Sequence, residues 1–320
     1  MICQWKRILL TRAAEWDMPV GVEWSFLLHN NYQPNSASFN VLWFCQEERF
    51  PRAVAKVCPQ ENVLRREFEN LTCVYPLARG CVPKPLHLEL VDGLWMLWMA
   101  GVPGLRVSSR RNYSPSELTP VVDMLASIHR AVQSGAEACS PDRHARMVAE
   151  PLDAVIRFGA SAAVRAGCTA LAEVSSALWI NALPVIPQHG DLFLDNVLRH
   201  RNQWHVVDWE TFGAIDLPFY DLLTLLVSVL RASGEIQGRS SPKLSGEVPV
   251  LIGRYARALQ LPVSLVKVLL PLTLANWFYL HWLEGRMATM ERMYGALEHY
   301  FEHNDIWEGI FFRDYGLEQT

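Results

Sequence analysis

The 320-residue sequence predicts an α+β fold in two parts, a small antiparallel sheet within residues 1–100 and a mostly helical remainder over 101–320. Three observations carry this expectation. Short runs rich in aromatic and β-branched residues, separated by turn-forming pieces, crowd the first part. Apolar residues recur at helical spacing through most of the second. Between the two stands a glycine and proline cluster, Gly101 to Gly104, which marks a candidate hinge. With 50% hydrophobic residues the chain can bury one large core or two smaller ones, and two is the expectation.

Taken in order, WSFLLHNN (24–31), VLWFC (41–45) and AVAKV (53–57) read as strands. A helix follows over 61–78, with Val63, Phe68, Leu71 and Val74 broadly on one face. HLELV (87–91) and LWMLWM (94–99) are two further strands, the second opened by Gly93. Beyond the hinge, a helix runs to residue 132 from an N-cap at Ser114 or Ser116. Helices also cover most of 145–181, then 216–231 and most of 248–303, while the Gly- and Ser-rich stretch 231–247 reads as a loop. Within the helical part, 196–200 and 204–208 form a hairpin around Arg201, Asn202 and Gln203.

Composition excludes several classes of partner. The 29 Lys and Arg against 33 Asp and Glu leave a net charge of -4, so no basic field exists to hold nucleic acid or an anionic membrane. Seven cysteines without a C-x-x-C pair read as reduced thiols, and the N-terminal apolar run is too short and interrupted for a secretory signal, which makes the cytoplasm the expected address. Residues 261–283 are apolar enough to raise the question of a membrane span. Lys267, Pro271, Asn276 and His281 interrupt them, and a buried helix is expected instead.

The chemistry concentrates in HGDLFLDN and the DWE that comes after it. A hairpin turn centred on Asn202 sets Asn196 opposite Asp208, so that an amide and a carboxylate meet at one strand end. Asp191 precedes Asn196 by five residues, and the three groups are expected to share one small pocket. Such a set of oxygens suits magnesium, and magnesium with a carboxylate to orient a hydroxyl suits phosphoryl transfer. A metallohydrolase built on His189, Asp191 and Asp208 is the rival, but no second His or Glu cluster lies nearby in the sequence.

The pattern H-x-D-x-x-x-x-N, present as His189, Asp191 and Asn196, resembles the catalytic loop of kinase-like enzymes, and Asp208-Trp209-Glu210 resembles their metal-binding tripeptide. With Gly190 in the loop and Trp-Glu after the aspartate, the chain is similar to the aminoglycoside phosphotransferase and choline-kinase-like family over most of its length. The resemblance implies a two-lobed protein-kinase-like fold, ATP and Mg2+ as cofactors, and a small hydroxylated molecule as phosphate acceptor. It implies that Asp191 orients or deprotonates the acceptor hydroxyl, that Asn196 and Asp208 hold magnesium, and that His189 and Asp221 brace the loop. Glu210 either touches the metal or caps the segment after it.

For the first part it implies that Lys56, on one strand face with Val54, grips the phosphates and pairs with Glu67, or with Glu69 as the second candidate, and that adenine meets the backbone around Met99 to Gly101. The phosphate-covering stretch 30–40 contains no glycine, which leaves its backbone or Ser36 and Ser38 to face phosphate. That absence is the one feature favouring the alternative of a catalytically silent kinase-like regulator or scaffold. A protein acceptor is not expected, because TFGAIDLPFYD after DWE leaves no room for a long activation segment. Glu284, Glu291, Glu298, Glu302 and Asp305 make a solvated acidic face, and the resemblance implies that acidic residues lining the acceptor site would favour cationic acceptors such as amino sugars or choline.

Overall fold

The computed structural model describes residues 2–30, 38–46, 48–78, 80–107, 115–134, 142–237 and 245–312. Its backbone divides into two compact units, Met1–Val107 with Asn196–Glu210, and Ser108–Asp195 with Thr211–Thr320. The division expected between residues 100 and 101 would have left the hairpin with the helical part. It joins the first unit because β6 (Leu105–Arg106) pairs with β7 (Val197–His200), and the Val206 amide of β8 (Gln203–Val206) donates to the Cys81 carbonyl.

In the first unit five antiparallel strands lie in the order β1 (Trp24–Asn30), β2 (Phe39–Cys45), β3 (Ala53–Cys58), β5 (Leu94–Ala100), β4 (Pro85–Val91). The alternation of β3 divides its residues between two layers. Ala53, Ala55 and Val57 enter a core with Trp43 and Trp98, and α1 (Ile2–Arg12) closes this layer with Trp5 and Leu9, followed by Ala13 and Trp16. This helix was not expected from the sequence. Its apolar stripe is short, and its stability comes from burying two large side chains on the sheet rather than from propensity.

Val54 and Lys56 face the other way, toward α2 (Glu61–Val74). The buried stripe of α2 is Leu64, Glu67, Leu71 and Val74, while Val63 and Phe68 are only half-buried, so the face differs by a fraction of a turn from the one read off the sequence. The helix ends at Val74 rather than at residue 78, since Pro76 lacks an amide hydrogen and cannot continue it. Gly101 is held by close approach rather than freedom: a Cβ there would lie 1.9 Å from the Pro51 carbonyl oxygen.

The second unit is helical, built from α3 (Pro115–Val132), α4 (Glu150–Arg157), α5 (Ala162–Val174), α6 (Ala177–Ala182), α7 (Tyr220–Ser233), α8 (Val248–Leu259), α9 (Val266–Leu283), α10 (Met287–Glu302) and α11 (Asn304–Phe311). The stretch Val263–Leu283 is long and apolar enough to cross a membrane by length and composition, yet 61% of it is buried, and α9 packs on α4, α7 and α10. Residues 135–141 and 238–244 and the expected cap Ser114 lie outside the description, as do Ser36 and most of the phosphate-covering stretch.

Candidate active site

The first unit places one ammonium among three carboxylates. Lys56 leaves β3 with its chain buried, and its Nζ stands 2.7 Å from Glu67 Oε2 of α2, 2.6 Å from Asp208 Oδ1 and 3.5 Å from Glu210 Oε2. Glu67, and not the exposed Glu69, is therefore the helix partner. Burial alone would lower the Lys56 pKa, but the combined field of Asp208, Glu67 and Glu210 outweighs it and raises the ammonium well above its ordinary range. Glu67 moves the other way: burial pushes its carboxyl up to about 7 against the pull of Lys56, and the charges of Asp208 and Glu210 push in the same direction as burial.

The strand pairing differs by one residue from the sequence expectation. Val197 faces Val206, and the Asn196 carbonyl accepts from the Val207 amide, so Asn196 lies opposite Val207 rather than Asp208. The cause is a two-residue turn, Arg201–Asn202, with Arg201 in the left-handed region at φ 55°, where three turn residues were expected. Asp208 is then freed from the ladder and turned by its own left-handed backbone, φ 71°, a conformation that Asp tolerates better than most residues. Asn70 of α2, which the sequence reading passed over, fixes this corner by donating from Nδ2 to the Trp209 carbonyl at 2.8 Å. The amides of Ala100 and Gly101, near the expected adenine position, donate to the carbonyls of Lys84 and Arg52.

The three carboxylates of Glu67, Asp208 and Glu210 can offer oxygens within 4.8 Å of one another. An all-oxygen donor set with a surplus of negative charge over the single ammonium fits a hard divalent cation such as magnesium. No thiol or imidazole is among these donors, which would have suited a softer metal.

In the second unit the loop carrying Asp191 is organised by Asp221, fully buried in the first turn of α7. Asp221 Oδ2 accepts from the His189 amide at 2.6 Å and Oδ1 from the Gly190 amide at 3.1 Å. His129 Nε2 lies 3.1 Å from the same carboxylate, while its Nδ1 meets the Tyr255 hydroxyl at 2.6 Å. Burial would raise the Asp221 pKa, but the His129 hydrogen bond and the loop amides outweigh it and hold the carboxyl below its ordinary range. The buried His189 accepts the Asp191 amide on Nδ1, Thr211 Oγ1 donates to the His189 carbonyl at 2.7 Å, and Tyr220 donates to the Gly190 carbonyl.

Asp191 itself faces the turn between α9 and α10, where Arg286 Nη1 stands 3.9 Å and His281 Nε2 3.8 Å from its carboxylate. His129, His281 and Arg286 were all missed from sequence. A histidine on the otherwise apolar stripe of 114–132 was the one available signal for His129.

A conserved sequence profile described as the phosphotransferase enzyme family matches residues 33–286, well over half of the chain. The chain belongs to that family. No curated protein matches it by sequence. Its fold is similar to aminoglycoside 2'-phosphotransferase-IIIa, solved as a GDP complex, with a TM-score of 0.57 at 11% identity over 94% of this chain and 99% of that one. A choline/ethanolamine kinase family protein from Mesorhizobium loti gives 0.52 at 17% identity, covering 97% and 98%. Macrolide 2'-phosphotransferase from Brachybacterium faecium gives 0.50 at 17%, covering 91% and 97%. At such identities these likenesses establish the protein-kinase-like α+β fold of this phosphotransferase.

Proposed function

We propose that the chain transfers the γ-phosphoryl group of ATP to a hydroxyl of a free small molecule in the cytosol, without a nucleic-acid or membrane partner. The observation that carries this reading is the buried Lys56 ammonium shared by Glu67, Asp208 and Glu210. A cluster with one positive and three negative groups is unfavourable by itself and becomes favourable when cations and phosphate oxygens are added.

In this reading Lys56 holds phosphate oxygens, and Glu67 fixes the direction of its amine. Asp208 and Asn196 would hold magnesium, with Glu210 beside them. The metal, when bound, neutralises the charge that develops on the transferred phosphoryl oxygens. Asp191 accepts a hydrogen bond from the acceptor hydroxyl and takes its proton as the new phosphorus–oxygen bond forms and the bond to the leaving ADP oxygen breaks. Asp221 and His189 hold the Asp191 backbone, so that this carboxylate is presented in one position.

The test is ADP release by purified protein with and without magnesium, in the presence of a panel of hydroxylated metabolites and amino sugars. Asp191→Ala is expected to reduce magnesium-dependent release by about 10²- to 10⁴-fold, the usual weight of a positioned base. Equal release by the two proteins, or none by either, would overturn the reading in favour of a silent nucleotide-binding protein.

A further inference from the structure

The surroundings of Asp191 bear on which acceptor it serves, an inference that rests on the role just assigned to that residue. Glu284 is the member of the acidic face that comes directly after α9, at its C-terminal cap. It is engaged by two basic groups: Arg286 Nε stands 2.9 Å from Glu284 Oε2, and His281 Nδ1 stands 3.5 Å from the same oxygen. The same two side chains are the ones that approach Asp191, at 3.9 and 3.8 Å, too far for hydrogen bonds, and the Arg286 guanidinium is close enough for Coulomb coupling. Asp191 and His281 are largely buried, with side-chain exposures of 13% and 4%, while Arg286 keeps 30%, so the guanidinium is the charge that an incoming molecule meets beside the carboxylate.

The position of Arg286 is fixed by the chain as well as by Glu284. Its amide donates to the His281 carbonyl and its carbonyl accepts from Thr289 and Met290, which lock the turn between α9 and α10. A guanidinium held there offsets the pull of Asp191 and Glu284 on an ammonium and offers an anion a hydrogen-bonding partner. With the two protein groups 3.9 Å apart, one small molecule can place a hydroxyl on Asp191 and an anionic oxygen on Arg286 at the same time.

We propose that Arg286 is a specificity-determining residue that makes this phosphotransferase select small alcohols carrying a carboxylate or phosphate close to the reacting hydroxyl, and reject polycationic amino sugars and choline. Of the acidic face, Glu291, Glu302 and Asp305 are exposed to water and screened, Glu298 is half-buried, and Glu284 is paired with Arg286 itself.

The experiment compares kcat/KM for three acceptor sets under Mg-ATP: short hydroxy acids and phosphorylated alcohols, neutral polyols, and aminoglycosides with choline. Wild type is expected to favour the anionic set by at least about tenfold over the others. Arg286→Gln should lower kcat/KM for the anionic set by about 10- to 100-fold more than for the neutral set, mostly through KM; Arg286→Glu should invert the ranking. Thermal melts of both variants guard against misfolding, and Glu284→Gln, which keeps the guanidinium, should preserve the wild-type ranking. Preference of wild type for aminoglycosides or choline, or a ranking that ignores the charge at residue 286, would overturn the proposal. Magnesium-dependent ADP release that Asp191→Ala abolishes while the ranking ignores Arg286 would sink this inference alone. Release indifferent to Asp191 would sink the parent reading with it.

Discussion

The first unit gathers three carboxylates around one ammonium, whereas the second gathers three donors, two loop amides and an imidazole, around one carboxylate. Asp221, Lys56 and Glu67 are buried while Asp208 and Glu210 are half-buried, and both clusters join residues far apart in the chain, yet their charge balance is opposite. Around Asp221 every approaching group offers hydrogen to the carboxylate, and the fold alone satisfies it. Around Lys56 the carboxylates outnumber the ammonium, and burial together with the charges of Asp208 and Glu210 pushes the Glu67 carboxyl upward. Under the proposed function, the difference separates a site that is finished by folding from one that would be finished by a ligand.

The comparison is broken most directly at Asp221. Replacing it by Ala leaves His129 and the amides of His189 and Gly190 without their shared acceptor, and stability should fall by about 3–5 kcal/mol in chemical unfolding. Asp221→Asn should be milder and should report on protons. Because the folded protein holds this carboxyl below its ordinary value of 3.8, its contribution is present above that pH and is lost as acid protonates the folded form. The wild-type melting temperature should therefore drop more steeply than that of Asp221→Asn as pH falls below about 4. Parallel acid profiles would show that Asp221 is not the ionised centre of its cluster.

Asp208 should answer with the opposite sign. Asn at this position tolerates the left-handed backbone and removes one of the surplus charges, so stability should hold or rise by up to about 1 kcal/mol. Magnesium-dependent ADP release should meanwhile fall by about 10²- to 10³-fold. A melting temperature that drops with Asp208→Asn as it does with Asp221→Asn would erase the distinction between the two clusters.

Legibility in the sequence divides along the same line. Lys56, Glu67, Asp208 and Asp221 could be singled out because HGDLFLDN and DWE are dense with chemistry and the resemblance they carry implies a strand lysine, a helix carboxylate and a bracing aspartate elsewhere in the chain. The hairpin was legible in place but not in register, since whether Gln203 belongs to the turn or pairs with His200 depends on Arg201 adopting a left-handed backbone, which the residue type does not announce. The helix Ile2–Arg12 went unseen because its Trp5 and Leu9 acquire meaning only against Trp43 and Trp98 of the sheet. Arg286 and His281 lie some ninety residues from Asp191 and belong to no spacing pattern. Their approach is a product of how α9 ends, and sequence periodicity carries no information about it.

The smallest expected effect tests whether the finished cluster governs the position of Asp191 or merely lies behind it. Gly190 has φ +88°, and a Cβ added there would come within 2.9 Å of the Thr211 carbonyl oxygen and 3.0 Å of its hydroxyl. That hydroxyl donates to the His189 carbonyl, so Gly190→Ala displaces the segment that Asp221 holds from the other side. Gly213 makes the control: it also has positive φ, +77°, but nothing lies within 4 Å of its missing Cβ. Both substitutions should cost about 1–2 kcal/mol for the left-handed backbone. Gly190→Ala alone should in addition lower ADP release, by about tenfold or more, because an ångström of displacement at a positioned carboxylate weakens catalysis steeply. Equal activity in the two variants would mean that the loop yields without moving Asp191, and that the bonds to Asp221 serve stability only.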